Sequence, residues 1–568
     1  MYIATVPNRT SPPAILLRES YREGTKVKSR TLANLSSLTP GQVEGMRRVL
    51  RGEELFAADG PVRKIRDRSH GAVDAVRQVM VKLGIETLLE RRSCRERDLV
   101  VAMLVARITE AESKLATTRT WQTTTLPEDL EISDATEDDL YEAMDWLLER
   151  QGAIEKRLAS RHLRKQGLVL YDLSSSYFEG QCCPLAKLGY NRDGKKGKLQ
   201  VNYGLLTDER GCPVAVRVYE GNASDSTTLI DQVERVQRDF AIDGFVIVGD
   251  RGMITETQIK SLREKNGVAW VTALKSGRIR SLIQSGALQL GLFDDRNLFS
   301  VQDAKFANER FIACKNHDLA RLRAHKRQSL LEATRKELEV VQRMVGRGKL
   351  VGKAAIGVRV GKVINKHKVA KHFLLDIGDS NFSYRIREDR VAEEAALDGL
   401  YVIRTSLTKD VATDEQAVRH YKKLANVERA FRSIKTIDLK VRPIHHHLES
   451  RVRAHIFLCT LAFYVEWHIR EAWRTVLFSD EDQTAKETRD PVAPAKRSKA
   501  ALEKVAATRL DDGTPVHSFR TLLADLATIT RSTFAPDGAN DDRHTFTMTT
   551  LPSPEQARAL QLLETIAV

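Results

Sequence analysis

Six cysteines in 568 residues are too few to staple the fold. Cys94, Cys182, Cys183, Cys212, Cys314 and Cys459 show no C-x2-C spacing, which excludes a zinc ribbon and a disulfide-framed secreted domain. They read as the reduced thiols of a cytosolic protein. Long apolar runs are missing too. The longest uncharged one, Ile456 to Val465, is about half of the ~20 residues a membrane span takes and reads as a core helix. The amino terminus lacks the basic n-region and apolar core of a signal peptide. Acidic residues are in deficit, 76 against 91 Lys and Arg, for a formal charge of +15. That surplus favours a polyanionic partner, nucleic acid first, because Lys and Arg neutralise phosphates and release counterions.

What is present is a chain too long for one core, roughly three to five folding units. Residues 1–65 carry short extended runs broken by Pro12-Pro13 and Gly24, a small β-rich region. From 66 to 165 the apolar spacing turns helical, in VDAVRQVMVKLGIETLL, RDLVVAMLVARITEAESKL and EDDLYEAMDWLLERQGAIEKRL; this reads as an all-helical domain, for which a DNA-binding role rests on analogy alone. Residues 166–275 run strand, strand, strand, helix, strand, helix, strand. Three antiparallel strands followed by helix-linked parallel ones give an α/β fold, an RNase H-like catalytic core with a mixed five-stranded sheet. An insertion domain occupies 276–410, with a long helix over about 318–345 and strands at 372–377 and 400–405. The core resumes over 411–475, and 476–568 is a linker, about 478–506, followed by a helical tail at 519–528 and 554–566.

Chemistry gathers at three acids. Leu168-Val169-Leu170-Tyr171 is an apolar run that stops on Asp172, and Phe245-Val246-Ile247-Val248-Gly249 stops on Asp250. Both read as buried strands with a carboxylate at the carboxyl end, the edge where α/β sheets place their sites. Glu428 lies in YKKLANVERAFRSIK, read as one helix from Tyr421 to Lys435. Tyr421, Glu428 and Lys435 are spaced by seven, which stacks them on one face, and Arg432 lies one turn beyond Glu428. Two strand-end Asp and a helical Glu suit Mg²⁺, which prefers oxygen ligands, and two such ions can work one phosphodiester. Gly346 to His372 holds eight Lys and Arg and no acid, with Lys362, Lys366 and Lys368 among them. It is either a solvated face or a strip along a phosphate backbone. His445-His446-His447 do not converge on an ion as chain neighbours. GKLVGKA, Gly348 to Ala354, has no Ser or Thr after its Lys and is no phosphate loop, so no ATP is called for.

At these residues the chain resembles the DDE transposases of bacterial insertion sequences, in the branch marked by Y-x2-R-x3-E-x6-K on the last catalytic helix. Tyr421, Glu428 and Lys435 match that spacing, and Leu424 stands where the branch has Arg. GLLTDERGCPVAVRVYEGNASDSTTL, VGDRGM and VKSRTLANLS are also similar, and the resemblance spans most of 14–475. It implies cleavage of DNA at element ends and strand transfer with two Mg²⁺ ions, for which Mn²⁺ can substitute. Asp172, Asp250 and Glu428 would be the catalytic residues and metal ligands. Tyr421, Lys435, Arg251 and Arg432 would position double-stranded DNA, both terminal inverted repeats and target. It further implies a homodimer on DNA, in the bacterial cytoplasm at the nucleoid, without membrane or ATP. A structure-specific RNase H-like nuclease without strand transfer, and a non-catalytic transposase-derived DNA-binding protein, are the alternatives.

Overall fold

The computed structural model describes residues 1–8, 12–52, 62–301, 306, 308–480, 482, 488–536 and 545–567. The chain divides into two compact units, Met1–Arg68 with Thr530–Thr550, and Ser69–Ile529 with Leu551–Val568.

In the first unit β1 (Tyr2–Val6), β2 (Ala14–Glu23) and β3 (Lys26–Asn34) form an antiparallel meander. The β2–β3 turn passes through Gly24 at φ 63°, a left-handed geometry that glycine adopts without strain. Helix α1 (Pro40–Leu50) follows, opened by a capping box between Thr39 and Gln42. β4 (Val62–Ser69) forms a second three-stranded sheet with the strands Thr530–Pro536 and Phe546–Thr549. These strands interrupt the tail that reads as helical from sequence. Among the described residues of that tail Phe519–Leu526 and Pro554–Glu564 are helices, and between them Thr530 to Phe534, with Thr530, Thr533 and Phe534 favouring extended chain, pairs as a strand.

The second unit is built on a sheet of β5 (Leu168–Tyr177), β6 (Gln200–Thr207), β7 (Pro213–Glu220), β8 (Phe245–Val248), β9 (Val268–Ala273), β10 (Leu298–Val301), β11 (Arg310–Lys315) and β14 (Leu400–Thr405). The hairpin β12 (Phe373–Ile377) and β13 (Phe382–Ile386) stands apart from it. The order is β10-β11-β14-β9-β8-β5-β6-β7, with β5–β8 and β8–β9 parallel and the remaining pairs antiparallel. The sheet therefore has eight strands where the sequence suggests five. The five expected ones lie side by side at one end. The other three come from the 276–410 stretch, because β9 would otherwise leave an unpaired edge, and β14 closes it with Ile403 opposite Ala273.

Helices cover both faces. α2 (Gly71–Lys82), α3 (Arg95–Thr109), α4 (Glu137–Glu149) and α5 (Gln151–His162) precede the sheet; α6 (Asp225–Arg238) and α7 (Glu256–Arg263) lie within it. α8 (His317–Gly346) and α9 (Lys353–His367) pair with the β12–β13 hairpin in an apolar cluster of their own, around Leu338, Val341, Ile356 and Phe373. α10 (Asp414–Lys422), α11 (Leu424–Arg432) and α12 (Glu449–Ala472) return to the main core. α12 is buried almost continuously from Val452 to Ile469 and packs on α2, α3, α4 and β7. A helix apolar all round has to be enclosed, and here the preceding helices and the sheet enclose it from different sides. One apolar cluster accordingly runs from Ala72 through the sheet to Leu563. Residues 481 and 483–487 of the stretch that reads as a linker lie outside the described residues. Beyond them Val492 is buried, and its carbonyl accepts from Asn316 Nδ2 at 2.8 Å.

β6 is buried at all eight positions. Tyr171 reaches from β5 to α6, its hydroxyl donating to Thr228 Oγ1 at 2.9 Å, and its ring crosses Gly204 on the way. A Cβ on Gly204 would stand 2.2 Å from Tyr171 Oη and 2.6 Å from a ring carbon. Gly204→Ala should therefore destabilise the second unit by about 1–3 kcal/mol, the usual cost of overpacking. A lowered urea midpoint at unchanged slope checks this; an unchanged midpoint would mean that Tyr171 moves aside freely.

Candidate active site

β5 and β8 pair with Leu168 opposite Val246, Val169 opposite Ile247 and Leu170 opposite Val248, an offset of 78 positions. Asp172 and Asp250 are separated by the same 78. The two acids therefore come level on neighbouring parallel strands, just past the last paired residues, where level side chains share a face. Asp250 lies beyond β8, as its sequence suggests. Asp172 does not end its strand: β5 runs on to Tyr177 because it keeps pairing with β6 on its other side after β8 has stopped. Asp250 is pinned by a turn in which the N–H groups of Gly252 and Met253 donate to its Oδ1 at 2.9 and 2.8 Å. Leu173 N–H donates to Asp172 Oδ1 at 2.8 Å. Among the described residues neither Oδ2 has a donor.

Glu428 arrives on the opposite face from α6. Its helix α11 buries Leu424, Val427, Ala430 and Phe431 and packs on β5, with Phe431 edge-on to Tyr203 of β6 at 5.7 Å. The stretch that reads as one helix from Tyr421 to Lys435 is three pieces. α10 ends at Lys422, α11 begins at Leu424, and Ser433–Ile437 is a π turn closed by Asp438 N–H on Ser433 O. The first break is where the β6–β7 turn docks. Lys423 Nζ pairs with Glu209 at 2.6 Å, Asn426 Nδ2 donates to Glu209 O at 2.9 Å, and Gly211 faces Asn426 closely. Leu424 is buried, at 9 % exposure, and has no reach to a phosphate.

The three acids feel one another. Burial raises the Asp172 carboxyl to about 7, and the charges of Asp250 and Glu428 push the same way, against the Leu173 N–H and Arg192. The Tyr421 phenol is raised to about 12 by burial and by the charges of Asp250, Glu428 and Asp172, with Arg251 opposing. Asp172, Asp250, Glu428 and Tyr421 are thus brought together, with the exposed Arg251 beside them. No described Lys or Arg forms an ion pair with any of the three acids. Two half-buried carboxylates and an exposed third sense one another's charge without a protein counter-ion, but their oxygens do not all lie within 4.8 Å of one another.

The other candidates are placed differently. Lys435 is buried; its Nζ donates to Ser174 Oγ at 2.9 Å and pairs with Asp193 at 2.8 Å. Ser174 is two residues along β5 from Asp172, on the same face. Asp193 also pairs with Arg442 and accepts from Tyr177 N–H at 3.0 Å. Asp193 and Arg442 escape a reading of the sequence, although Asp193 is the one acid in the basic link KLGYNRDGKKGKLQ. Arg432 is exposed and forms no ion pair with a described residue. Lys362, Lys366 and Lys368 are exposed at α9, where Lys366 pairs with Glu337 at 2.6 Å.

A family model described as Transposase DDE domain matches residues 169–465. The chain belongs to the DDE transposases. A second model, IS1634 family transposase, N-terminal domain, matches residues 3–63 of this transposase. Among solved structures, one described as a piggyBac transposase synaptic complex with hairpin DNA aligns over 80 % of this chain and 77 % of the other, at 9 % identity and a TM-score of 0.35. No curated protein matches the sequence. DDE transposases act on DNA and use divalent metal ions. Among the described residues, no helix is long and apolar enough to cross a membrane.

The raised Asp172 carboxyl has a consequence for stability. In the unfolded chain it titrates near 4. Between pH 4 and about 7 the folded transposase holds a proton that the unfolded chain has lost, so stability falls as pH rises through that window. The slope from this one group is at most about 1.4 kcal/mol per pH unit. In metal-free protein, Asp172→Asn should flatten that fall and raise the melting temperature at pH 8. Equal pH profiles for the two proteins would show that Asp172 is ionised at no cost.

Proposed function

We propose that Asp172, Asp250 and Glu428 hold two Mg²⁺ ions, or Mn²⁺ in their place, in an RNase H-like core that cuts DNA at the terminal inverted repeats of a mobile element and joins the freed ends to target DNA. The observation that carries this reading is that three carboxylates lie within electrostatic reach of one another without a protein counter-ion, in a chain of this family. When bound, the ions would activate an attacking hydroxyl, first of water and then of a 3′ end, and stabilise the leaving oxygen. The residues supply the rest. Asp250 is held by its own turn through Oδ1, which leaves Oδ2 for a cation. Asp172 gives up its proton as cations load, which couples loading to pH. The Tyr421 phenol stays protonated across the physiological range and can donate to a phosphate oxygen. Arg251 and Arg432 offer exposed guanidinium groups to the backbone. Lys435 orients β5 through Ser174, and a phosphate that reaches it has to compete with Asp193. The helical segment 66–165 and α9 extend the DNA surface, and two copies of the chain work on two element ends, in the bacterial cytoplasm at the nucleoid and without nucleotide hydrolysis.

Asp172→Asn, Asp250→Asn and Glu428→Gln should each lower end cleavage by more than the roughly 10–100-fold that loss of an outer-shell partner costs, with end binding retained. Labelled element ends with Mg²⁺ provide the assay, and near-normal cleavage by any one variant removes that residue from the site. Cleavage without joined products from a pre-cut 3′-OH donor would favour the nuclease reading. On α9 the cations differ in their prior commitments: Lys366 and the neighbouring Lys371 already pair with Glu337 and Glu394. Replacing Lys362 and Lys368 with Ala should therefore flatten the log–log salt dependence of binding more than replacing Lys366 and Lys371. Each lost phosphate contact is worth a slope of roughly 0.9. Equal, unchanged slopes would make α9 a solvated face only.

A further inference from the structure

A second donor set lies outside the carboxylate centre. His162 is the last residue of α5, Cys212 stands in the turn before β7, and His468 is in the last turns of α12. One ligand atom from each lies within 4.8 Å of the other two, and among the described residues it is the one such His, Cys, Asp or Glu trio. Cys212 Sγ and His468 Nε2 are 3.9 Å apart, and the two imidazole rings are 5.8 Å apart, centre to centre. Donors bound tetrahedrally to zinc at about 2.0–2.3 Å stand about 3.3–3.7 Å from one another. The trio needs only a small contraction to reach that.

We propose that His162, Cys212 and His468 bind one zinc-class transition-metal ion, which ties the β6–β7 turn to α5 and α12. The donor types, two imidazoles and a thiolate, select such an ion over Mg²⁺. Burial keeps both imidazoles neutral, lowering His162 to about 4 and His468 to about 3, so their lone pairs are available at neutral pH. Burial also keeps the Cys212 thiol protonated, so binding forms a metal–sulfur bond and releases that one proton. The surroundings resemble those of built sites. The Tyr464 hydroxyl lies 3.0 Å from His162 Nε2 and fixes that ring, and Cys212 N–H donates to Asp208 Oδ1 at 2.9 Å. Of the nearby cations, Arg210 pairs with Asp208 at 3.1 Å and lies over the Trp467 ring, while Arg161 donates to Leu83 O at 2.8 Å. His162 is half-buried and forms the rim, so three protein ligands leave a fourth position for water.

The ion would brace the same turn whose Glu209 and Gly211 dock on the α10–α11 junction, one turn of helix from Glu428. The site is independent of the proposed DNA chemistry, and either can fail alone. The test uses the full chain without a histidine tag. Elemental analysis should find about one zinc per chain, removable by a chelator with a fall in melting temperature. Refilling with Co²⁺ should produce a thiolate-to-cobalt charge-transfer band in the near ultraviolet. Cys212→Ser should abolish the band, and His162→Gln should weaken Zn²⁺ binding by more than about tenfold. Because a variant of a buried residue can misfold, the titration of the unaltered chain with Zn²⁺ and Co²⁺ decides alone. Substoichiometric zinc and no band in the unaltered chain would overturn the site and leave a thiol–imidazole hydrogen bond.

Discussion

Three consecutive residue pairs hold β5 to β8, and their register decides where the negative charge of the site falls. A slip of one position would turn Asp172 toward α6 and bring Tyr171 to the face that α11 covers, because side chains alternate along a strand. The rest of the core is arranged so that this cannot happen cheaply. Tyr171 is locked over Gly204 with its hydroxyl on Thr228, and Ser174, on the other face, receives Lys435. Both faces of β5 are thus keyed by side chains that fit one register only. The site inherits its geometry from packing on either side of it, not from contacts among the acids, which repel one another.

Two of the cations near the site are paired away from the three acids. Lys435 and Arg442 both turn to Asp193, while Asp172, Asp250 and Glu428 are left to one another. A more even pairing would neutralise the carboxylates and remove the reason for an ion to enter. The π turn at Ser433–Ile437 serves this separation, since it turns Lys435 inward onto β5. It is braced from behind by Asp438, which accepts from Ser433 Oγ at 2.6 Å and Arg470 at 2.7 Å.

How much of this is legible in the sequence depends on how local each signal is. Asp172 and Asp250 stand out because each follows an apolar run, and Glu428 because of its seven-residue spacing from Tyr421 and Lys435. That spacing supposes one straight helix, whereas the helix is broken at Lys423 and widened at Ser433, and Lys435 turns to Ser174 and Asp193. Asp193 is hidden by the basic residues around it, and its role depends on partners more than 240 positions away. His162, Cys212 and His468 share no local pattern at all. Of the three extra strands, β14 is read as a strand at 400–405 but not as part of this sheet, and the other two are silent. LFSV and RFIACK are short, and what makes them part of the core is pairing through β14, a non-local event that periodicity does not record.

The weaving of residues 276–410 into the sheet carries a cost in time. β9 ends at Ala273, and the strand that covers its edge begins at Leu400. A ribosome adding roughly 5–20 residues per second needs on the order of ten seconds to make the chain between them. Throughout that interval the nascent protein exposes the hydrogen-bonding edge of VAWVTA, a β-rich and uncharged segment of the sort that seeks other strands. Nascent chains on neighbouring ribosomes of one message would carry the same open edge at the same stage. The length of the insert thus sets how long that edge stays open during synthesis.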